Sequence, residues 1–250
     1  SITRGRWWLG EDAGLKLDKN YAKQLDNIKE YFNNAKRYLA GNRAKKHIPY
    51  EATKGLFDGS QKFFIHVNGE REITDAITIS KELGINNLVI VHAEGADKVA
   101  DLLVANNIGV ILERPHRNPN NEDDDYDSTY KIASILMNKG IVVSVGMEGQ
   151  MERMNTRNIP FYAGTFAAHG LDKEEALKMI TSNTAKILGI DDKVGTLTVG
   201  KDATLFISEV DALDMRGNIL THAFIQGRKI SLETHQTKLW KRYSNKYKNQ

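Results

Sequence analysis

The feature that most constrains this chain is a rhythm of short apolar runs alternating with helix-like segments. Lys62 to Val67, Asn87 to His92, Ile108 to Leu112 and Ile141 to Val145 are each rich in β-branched residues. Between them lie stretches with helical periodicity: Glu70 to Leu83 closed by Gly84, Asp97 to Ala105, and Tyr126 to Asn138 ending at Lys139-Gly140. Ile159–His169 and Lys173–Ile180 continue as helices. Runs without polar alternation read as strands buried on both faces, and strict alternation with helices reads as βα units in a parallel sheet. We therefore expect Ile65, Val91, Ile111 and Val143 on four adjacent parallel strands in chain order. No glycine-rich phosphate fingerprint follows any of the strands, which argues against a dinucleotide-binding fold.

The flanks read differently. Leu17 to Leu39 carries Leu17, Tyr21, Leu25, Ile28, Phe32, Ala35 and Leu39 at helical spacing, stopped by Gly41-Asn42. After Gly189 the pattern becomes turn and strand, with a hairpin expected to reverse at Gln226-Gly227. So few strands cannot bury both faces unaided, and we expect them to need partner strands. The resulting division is a partial β/α barrel over 1–190, part of a small β-domain over 191–235, and a basic helix or tail over 236–250.

Composition narrows the functional classes. Of 250 residues, 40% are hydrophobic and 27% charged, as in an ordinary globular protein. A net charge of +3 gives no argument for nucleic acid or a membrane as partner. The basic excess is local, in Lys238, Lys241, Arg242, Lys246 and Lys248, and reads first as a solvated terminus. There is no cysteine, so disulfides and thiolate metal sites are both excluded, and cytosol and periplasm suit the chain equally. No apolar run approaches the ~20 residues of a membrane span. The opening Ser1-Ile-Thr-Arg-Gly-Arg-Trp-Trp has neither an initiator methionine nor an apolar signal core, and leads us to expect a preceding segment.

The candidate chemistry clusters at strand ends. His66 and His92 each close a strand, and at the C-terminal face of a β/α barrel loops converge on one mouth. Two imidazoles on successive strands are suited to share a divalent metal; the competing reading makes each a packed, hydrogen-bonded residue. Glu148 follows the fourth strand, where a carboxylate would bind metal or act as general base, or else be a solvated loop acid. His116, after the third strand, is placed to contact substrate, with a plain loop position as the alternative. The run Glu122-Asp-Asp-Asp-Tyr-Asp127 lacks the spacing and glycine of an EF-hand loop and reads as an acidic loop, with Asp127 or Ser128 capping the next helix.

The segment Asn183-Thr-Ala-Lys-Ile-Leu-Gly-Ile-Asp-Asp-Lys-Val-Gly-Thr-Leu-Thr-Val-Gly-Lys-Asp-Ala-Thr-Leu-Phe206 resembles the tail motif of the amidohydrolase superfamily. There the chain leaves the barrel at N-P-A-x-x-L-G and enters a β-sandwich through G-S-L-x-x-G-K-D-A-D-L. Asn158 to Leu171, with Glu174-Glu-Ala-Leu-Lys178 after it, is similar to the imidazolonepropionase-like branch. The resemblance covers about Gln61 to Tyr243.

It implies the C-terminal half of a TIM-like (β/α)8 barrel plus part of a small β-sandwich, the four strands being five to eight. His66 then matches the strand-five metal ligand and His92 the strand-six position. It further implies a divalent metal, with zinc expected, a small-molecule substrate, and an N-terminal half as companion chain or missing segment; homo-oligomerisation stays open. The implied activity is hydrolysis of a non-peptide C–N bond, as in a cyclic amide. Two departures stand against the pattern. There is no His-x-His of strand one in this chain, and the strand-eight Asp is replaced by Val145-Gly-Met-Glu-Gly149, leaving Glu148 as the carboxylate. The second departure supports a rival expectation, a catalytically degenerate homologue serving as a binding or structural subunit.

Overall fold

The computed structural model describes residues 2–4, 15–18, 20–41, 45–119, 124–147 and 152–248. The chain forms two compact units, Ser1–Gly146 and Met147–Gln250.

In the first unit, a short antiparallel pair, β1 (Ile2–Arg4) and β2 (Leu15–Leu17), precedes helix α1 (Tyr21–Ala40) and the short helices α2 (Ile48–Glu51) and α3 (Lys54–Asp58). Then come β3 (Phe63–Val67), α4 (Glu70–Leu83), β4 (Leu88–His92), α5 (Ala100–Ala105), β5 (Gly109–Leu112), α6 (Ser128–Asn138) and β6 (Val143–Val145). The four strands pair in parallel in the order β3-β4-β5-β6, which is the order expected from the sequence. The fold is α/β, with the sheet–helix alternation of a TIM-like barrel.

Local chemistry accounts for the elements. Helix α4 buries Ile73, Ala76, Ile77, Ser80 and Leu83 at helical spacing. Glu70 and Glu72 lie in its first turn and Lys81 in its last, each complementing the helix dipole. Gly84, left-handed at φ 70°, ends it where a side chain would be strained. Ile79, Leu83 and Ile85 form a core against which Leu25, Phe32, Leu56, Phe57 and Phe63 pack, so α1 and α3 fasten onto α4. Tyr21 Oη donates to Asp75 Oδ2 at 2.8 Å and pins the start of α1 to the same helix.

One sheet face carries Phe63, Ile65, Leu88, Ile90, Val110, Leu112, Val143 and Val145 in register, and Phe63 on it packs against Ile79 and Leu83 of α4. The other carries Phe64, His66, Val91, Ile111 and Ser144. Strand β4 is buried along Leu88–Val91, as expected of a run apolar on both faces, but β3 is not: Phe64 and His66 are exposed. Its position explains this, for β3 is an edge strand, paired only to β4 among the described residues. Asp127 does occupy the N-cap position of α6, yet makes no capping hydrogen bond; its Oδ2 pairs instead with Lys131 Nζ at 2.6 Å.

The second unit contains α7 (Ile159–Ala168), α8 (Lys173–Ile180), α9 (Ser182–Leu188), strands β7 (Leu205–Ser208), β8 (Leu220–Ile225) and β9 (Arg228–Lys229), and α10 (His235–Lys248). The Asp172 carboxylate accepts from the backbone N–H groups of Glu174 and Glu175, a true cap. The three strands form an antiparallel sheet, β7-β8-β9. Gln226 and Gly227 join β8 to β9 with φ of 50° and 76°, the left-handed pair that a two-residue hairpin requires. Phe206, Ile207, Ile225 and Ile230 of this region are all more than a third exposed.

Candidate functional site

The C-terminal ends of β3 and β4 bring two histidines together. The imidazoles of His66 and His92 stand 5.0 Å apart, centre to centre, with planes at 85°. Strand register alone would not produce this. Residues paired across a parallel ladder share a face, and side chains alternate along each strand. His66 pairs with Val91, and it is Val67 that pairs with His92. By alternation, therefore, the two rings would lie on opposite faces. The pleat breaks at the end of β4, where His92 has φ 78° and Ala93 φ 56°. Two successive non-glycine residues in the left-handed region are uncommon, and such strain concentrates at functional sites. Here it turns the His92 ring to the side of His66.

The surroundings hold this turn in place. The Ala93 N–H donates to the Val67 carbonyl at 3.0 Å and the Gly95 N–H to the Asn68 carbonyl at 2.8 Å. These bonds tie the exit loop of β4 to that of β3. Gly95 allows the approach, since a Cβ there would come within 2.8 Å of the Glu70 backbone nitrogen.

Three further charged groups complete the rim. Glu113, just beyond β5, places Oε1 3.4 Å from His92 Nε2. Arg117 sets Nη1 2.6 Å from Glu94 Oε1 and Nε 3.8 Å from Glu113 Oε2, so charge alternates along Glu113–Arg117–Glu94. Burial pushes the Glu94 carboxyl above its usual range; Arg117 opposes that rise and Glu113 adds to it. A broad concavity beside these groups is lined by His66, Asn68, Glu70, Glu94, Lys98 and Arg117 among others.

Of the residues singled out from sequence, the structure thus joins His66 and His92. His116 is exposed, its ring 6.1 Å from that of Tyr130 on α6. Glu148 lies outside the described residues. Glu94, Glu113 and Arg117 were not anticipated, although each lies within about five residues of a strand end, and that proximity was the available signal.

The histidine pair fits one part of a metal site. A metal about 2 Å from a nitrogen of each ring, at a tetrahedral angle, places the ring centres roughly 5 Å apart. That matches the 5.0 Å observed. Structural zinc sites use four protein ligands and catalytic sites three plus an open position. Among the described residues no group of three or more His, Asp and Glu side chains is disposed to hold a metal ion. Nor, among them, is any helix long and apolar enough to cross a membrane.

Comparison with known proteins places the chain. Residues 25–232 match the amidohydrolase family. A curated relative, 5'-deoxyadenosine deaminase of Methanobrevibacter smithii, is 25% identical over 191 residues, 68% of this chain and 44% of the relative. The crystal structure of an amidohydrolase from Thermotoga maritima superposes with a TM-score of 0.72 at 24% identity, over 83% of this chain and 55% of that one. An adenosine deaminase from Xanthomonas campestris, solved with bound zinc, superposes with a TM-score of 0.53 at 17% identity, over 78% of this chain and 53% of its own. The chain thus spans about half the length of these relatives. At such identities the solved structures speak for the fold, in agreement with part of a TIM-like barrel. The family match, covering most of the sequence, goes further: this chain belongs to the amidohydrolase family.

Proposed function

We propose that this chain is the C-terminal part of a metal-dependent hydrolase acting on a non-peptide C–N bond, in a cyclic amide or a similar small molecule. Within the family we assign it to the imidazolonepropionase-like branch, on the similarity of Asn158 to Leu171. A deaminase among the relatives also breaks a C–N bond, and so fits the same reaction class. The observation that carries the reading is the convergence of His66 and His92, achieved only by a strained turn at the end of β4. Packing alone gives no reason to maintain such a turn.

In this reading His66 and His92 would hold a divalent metal, zinc being the expected one. A metal bound there supplies a water of lowered pKa and a Lewis acid for the scissile group. Glu148, after β6, is proposed as the base that takes the water's proton, and His116 as a contact to the substrate. Further metal ligands come from an N-terminal half, as companion chain or preceding segment. The same half supplies strands to the exposed β7-β8-β9 sheet. We keep 1–190 as the barrel portion, 191–235 as part of the β-sandwich and 236–250 as a basic helix or tail.

The test is zinc affinity and ammonia or ring-opening release on cyclic amides and aminopurine nucleosides, measured with the N-terminal half present. His66→Ala and His92→Ala should each weaken zinc binding by more than about 100-fold, beyond the 10–100-fold typical of outer-shell partners. Unchanged zinc affinity in both variants would defeat the assignment. A second reading is favoured by Val145-Gly-Met-Glu-Gly149 standing where the family pattern has the strand-eight Asp: a homologue without catalysis that serves as a binding or structural subunit. Inertness of the completed protein with zinc, manganese and nickel alike would select it.

A further inference from the structure

We propose that helix α10 docks the protein on an anionic phospholipid surface. The inference is independent of the metal reading and rests on where charge and aromatic side chains are placed. From Arg228 to Gln250 stand seven Lys or Arg and one Glu, so this stretch carries +6; the whole chain carries +3, which leaves −3 for everything before it. The modest total conceals a strong asymmetry, of the kind that draws one end of a molecule to an anionic surface.

The fold makes this stretch an ordered surface. Thr234 and Thr237 cap the start of α10 reciprocally: the Thr237 N–H donates to the Thr234 hydroxyl at 3.2 Å and the Thr234 N–H to the Thr237 hydroxyl at 2.8 Å. Leu239, Tyr243 and Tyr247 follow at intervals of four, with Trp240 beside them, so the apolar side chains share one face. Lys238, Arg242 and Lys246, again four apart, border that face. The two rows touch: the Arg242 guanidinium lies 5.9 Å from the Tyr243 ring centre and the Lys246 ammonium 5.4 Å from that of Tyr247. Every residue from His235 to Tyr247 except Ser244 is exposed, Trp240 to 66% and Tyr247 to 60%. A basic helix with Trp and Tyr on one side lies flat in a headgroup layer, its rings toward the acyl chains and its cations among the phosphates. Other occupants fit less well. A second copy would set the like charges of two such helices against each other. A protein groove is a poor match because Lys is depleted at protein interfaces. A nucleic acid would meet the cations and leave Trp240 and Tyr247 in water.

Flotation of the full chain with lipid vesicles is the test, since aggregated protein does not float. We expect binding to vesicles of phosphatidylcholine and phosphatidylglycerol in equal parts, and none to phosphatidylcholine alone. Each Lys or Arg near an anionic surface strengthens binding about fivefold, so Arg242→Gln with Lys246→Gln should weaken it about 25-fold. Trp240→Ala should weaken it about tenfold or more, and brominated lipid should quench the part of the emission that Trp240→Phe lacks. All three side chains are exposed, so the variants keep the fold, which circular dichroism checks. Binding indifferent to lipid charge, or unaltered in these variants, overturns the proposal. Binding abolished when the N-terminal half is added does so too, and gives the aromatic face to that half. A dimer that Trp240→Ala dissociates, without flotation, assigns the face to a second copy instead. Binding of duplex DNA that needs Arg242 and Lys246 but not Trp240, again without flotation, assigns the helix to nucleic acid.

Discussion

Arg117→Met removes the central cation of the rim while keeping most of the side chain's length. In the native protein Arg117 holds Glu94 at 2.6 Å and approaches Glu113 at 3.8 Å, and the Arg117 and Glu94 side chains are 18% and 17% exposed. Exposed ion pairs contribute about 0–1 kcal/mol, whereas removing one partner of a buried pair costs about 3–5 kcal/mol. A pair at this depth lies between these limits, and we expect a loss of roughly 2–3 kcal/mol. For a folding unit of about 150 residues that lowers Tm by roughly 5–10 °C. The pH dependence has a definite sign. Glu94 already has a folded-state pKa above its unfolded value, because burial penalises its charge. Such a group contributes stability that is present at low pH and lost as pH rises through the folded pKa. Without Arg117, which at present lowers that pKa, the value climbs further and the loss at high pH deepens. Thermal unfolding between pH 5 and pH 8.5 should show the gap between variant and wild type widening upward. Glu94→Gln combined with Arg117→Met should recover most of the deficit, since the buried charge is gone. A variant that matches wild type at pH 8.5, or a gap that narrows as pH rises, would refute this account of the ion pair.

Other outcomes follow from the same structure. Glycine substitution in the second unit should separate backbone strain from crowding, because Gly195 and Gly200 share left-handed φ values of 94° and 95° but differ in surroundings. A Cβ at Gly195 would lie 2.6 Å from the Ala185 Cβ, while at Gly200 it meets nothing within 4 Å. Gly200→Ala should therefore cost about 1–2 kcal/mol in denaturant unfolding, and Gly195→Ala a further 1–3 kcal/mol for overpacking; equal costs would show that crowding is relieved without penalty. The 250-residue chain alone, given zinc, should show no C–N hydrolase turnover, since a catalytic site generally needs three protein ligands. Measurable turnover by the isolated chain would change the assignment of the residues that matter. With the N-terminal half present, Glu148→Gln should lower the rate by about 100-fold or more if Glu148 acts as general base, and an unaltered rate would remove it from that role.

The sheet was legible because burial on both faces leaves an uninterrupted β-branched run, and because helix ends such as Gly84 are marked by backbone chemistry. The bounds of α4 and α8 follow directly from such signals. In sequence β3 resembles a fully buried strand because Phe63-Phe-Ile-His-Val67 contains no polar alternation until His66; its edge position is set by tertiary pairing that no local pattern encodes. Helices α2, α3 and α9 span only four, five and seven residues and carry too few turns for a periodic signal. At the site, strand-end position identified His66 and His92 but not how they meet. Register would have separated them, and nothing in His92-Ala-Glu-Gly95 announces two left-handed residues where glycine might be expected. Glu94, Glu113 and Arg117 come from two different loops, so their relation exists only once β4 and β5 are side by side.

The left-handed pair at His92 and Ala93 also bears on how this protein responds to selection. Each such residue costs about 1–2 kcal/mol relative to relaxed backbone, a large share of the ~5–15 kcal/mol that holds a domain folded. Ala93 is fully buried and its N–H is tied to Val67, so the rest of the loop, rather than the residue's own preference, keeps it there. Screening for heat resistance alone would favour glycine at position 93, which adopts this φ without penalty. The gain would come with a looser hinge behind His92. Thermal tolerance and geometric definition of the rim therefore pull in opposite directions at this one residue, and a hardier variant obtained there should be a less well-organised one.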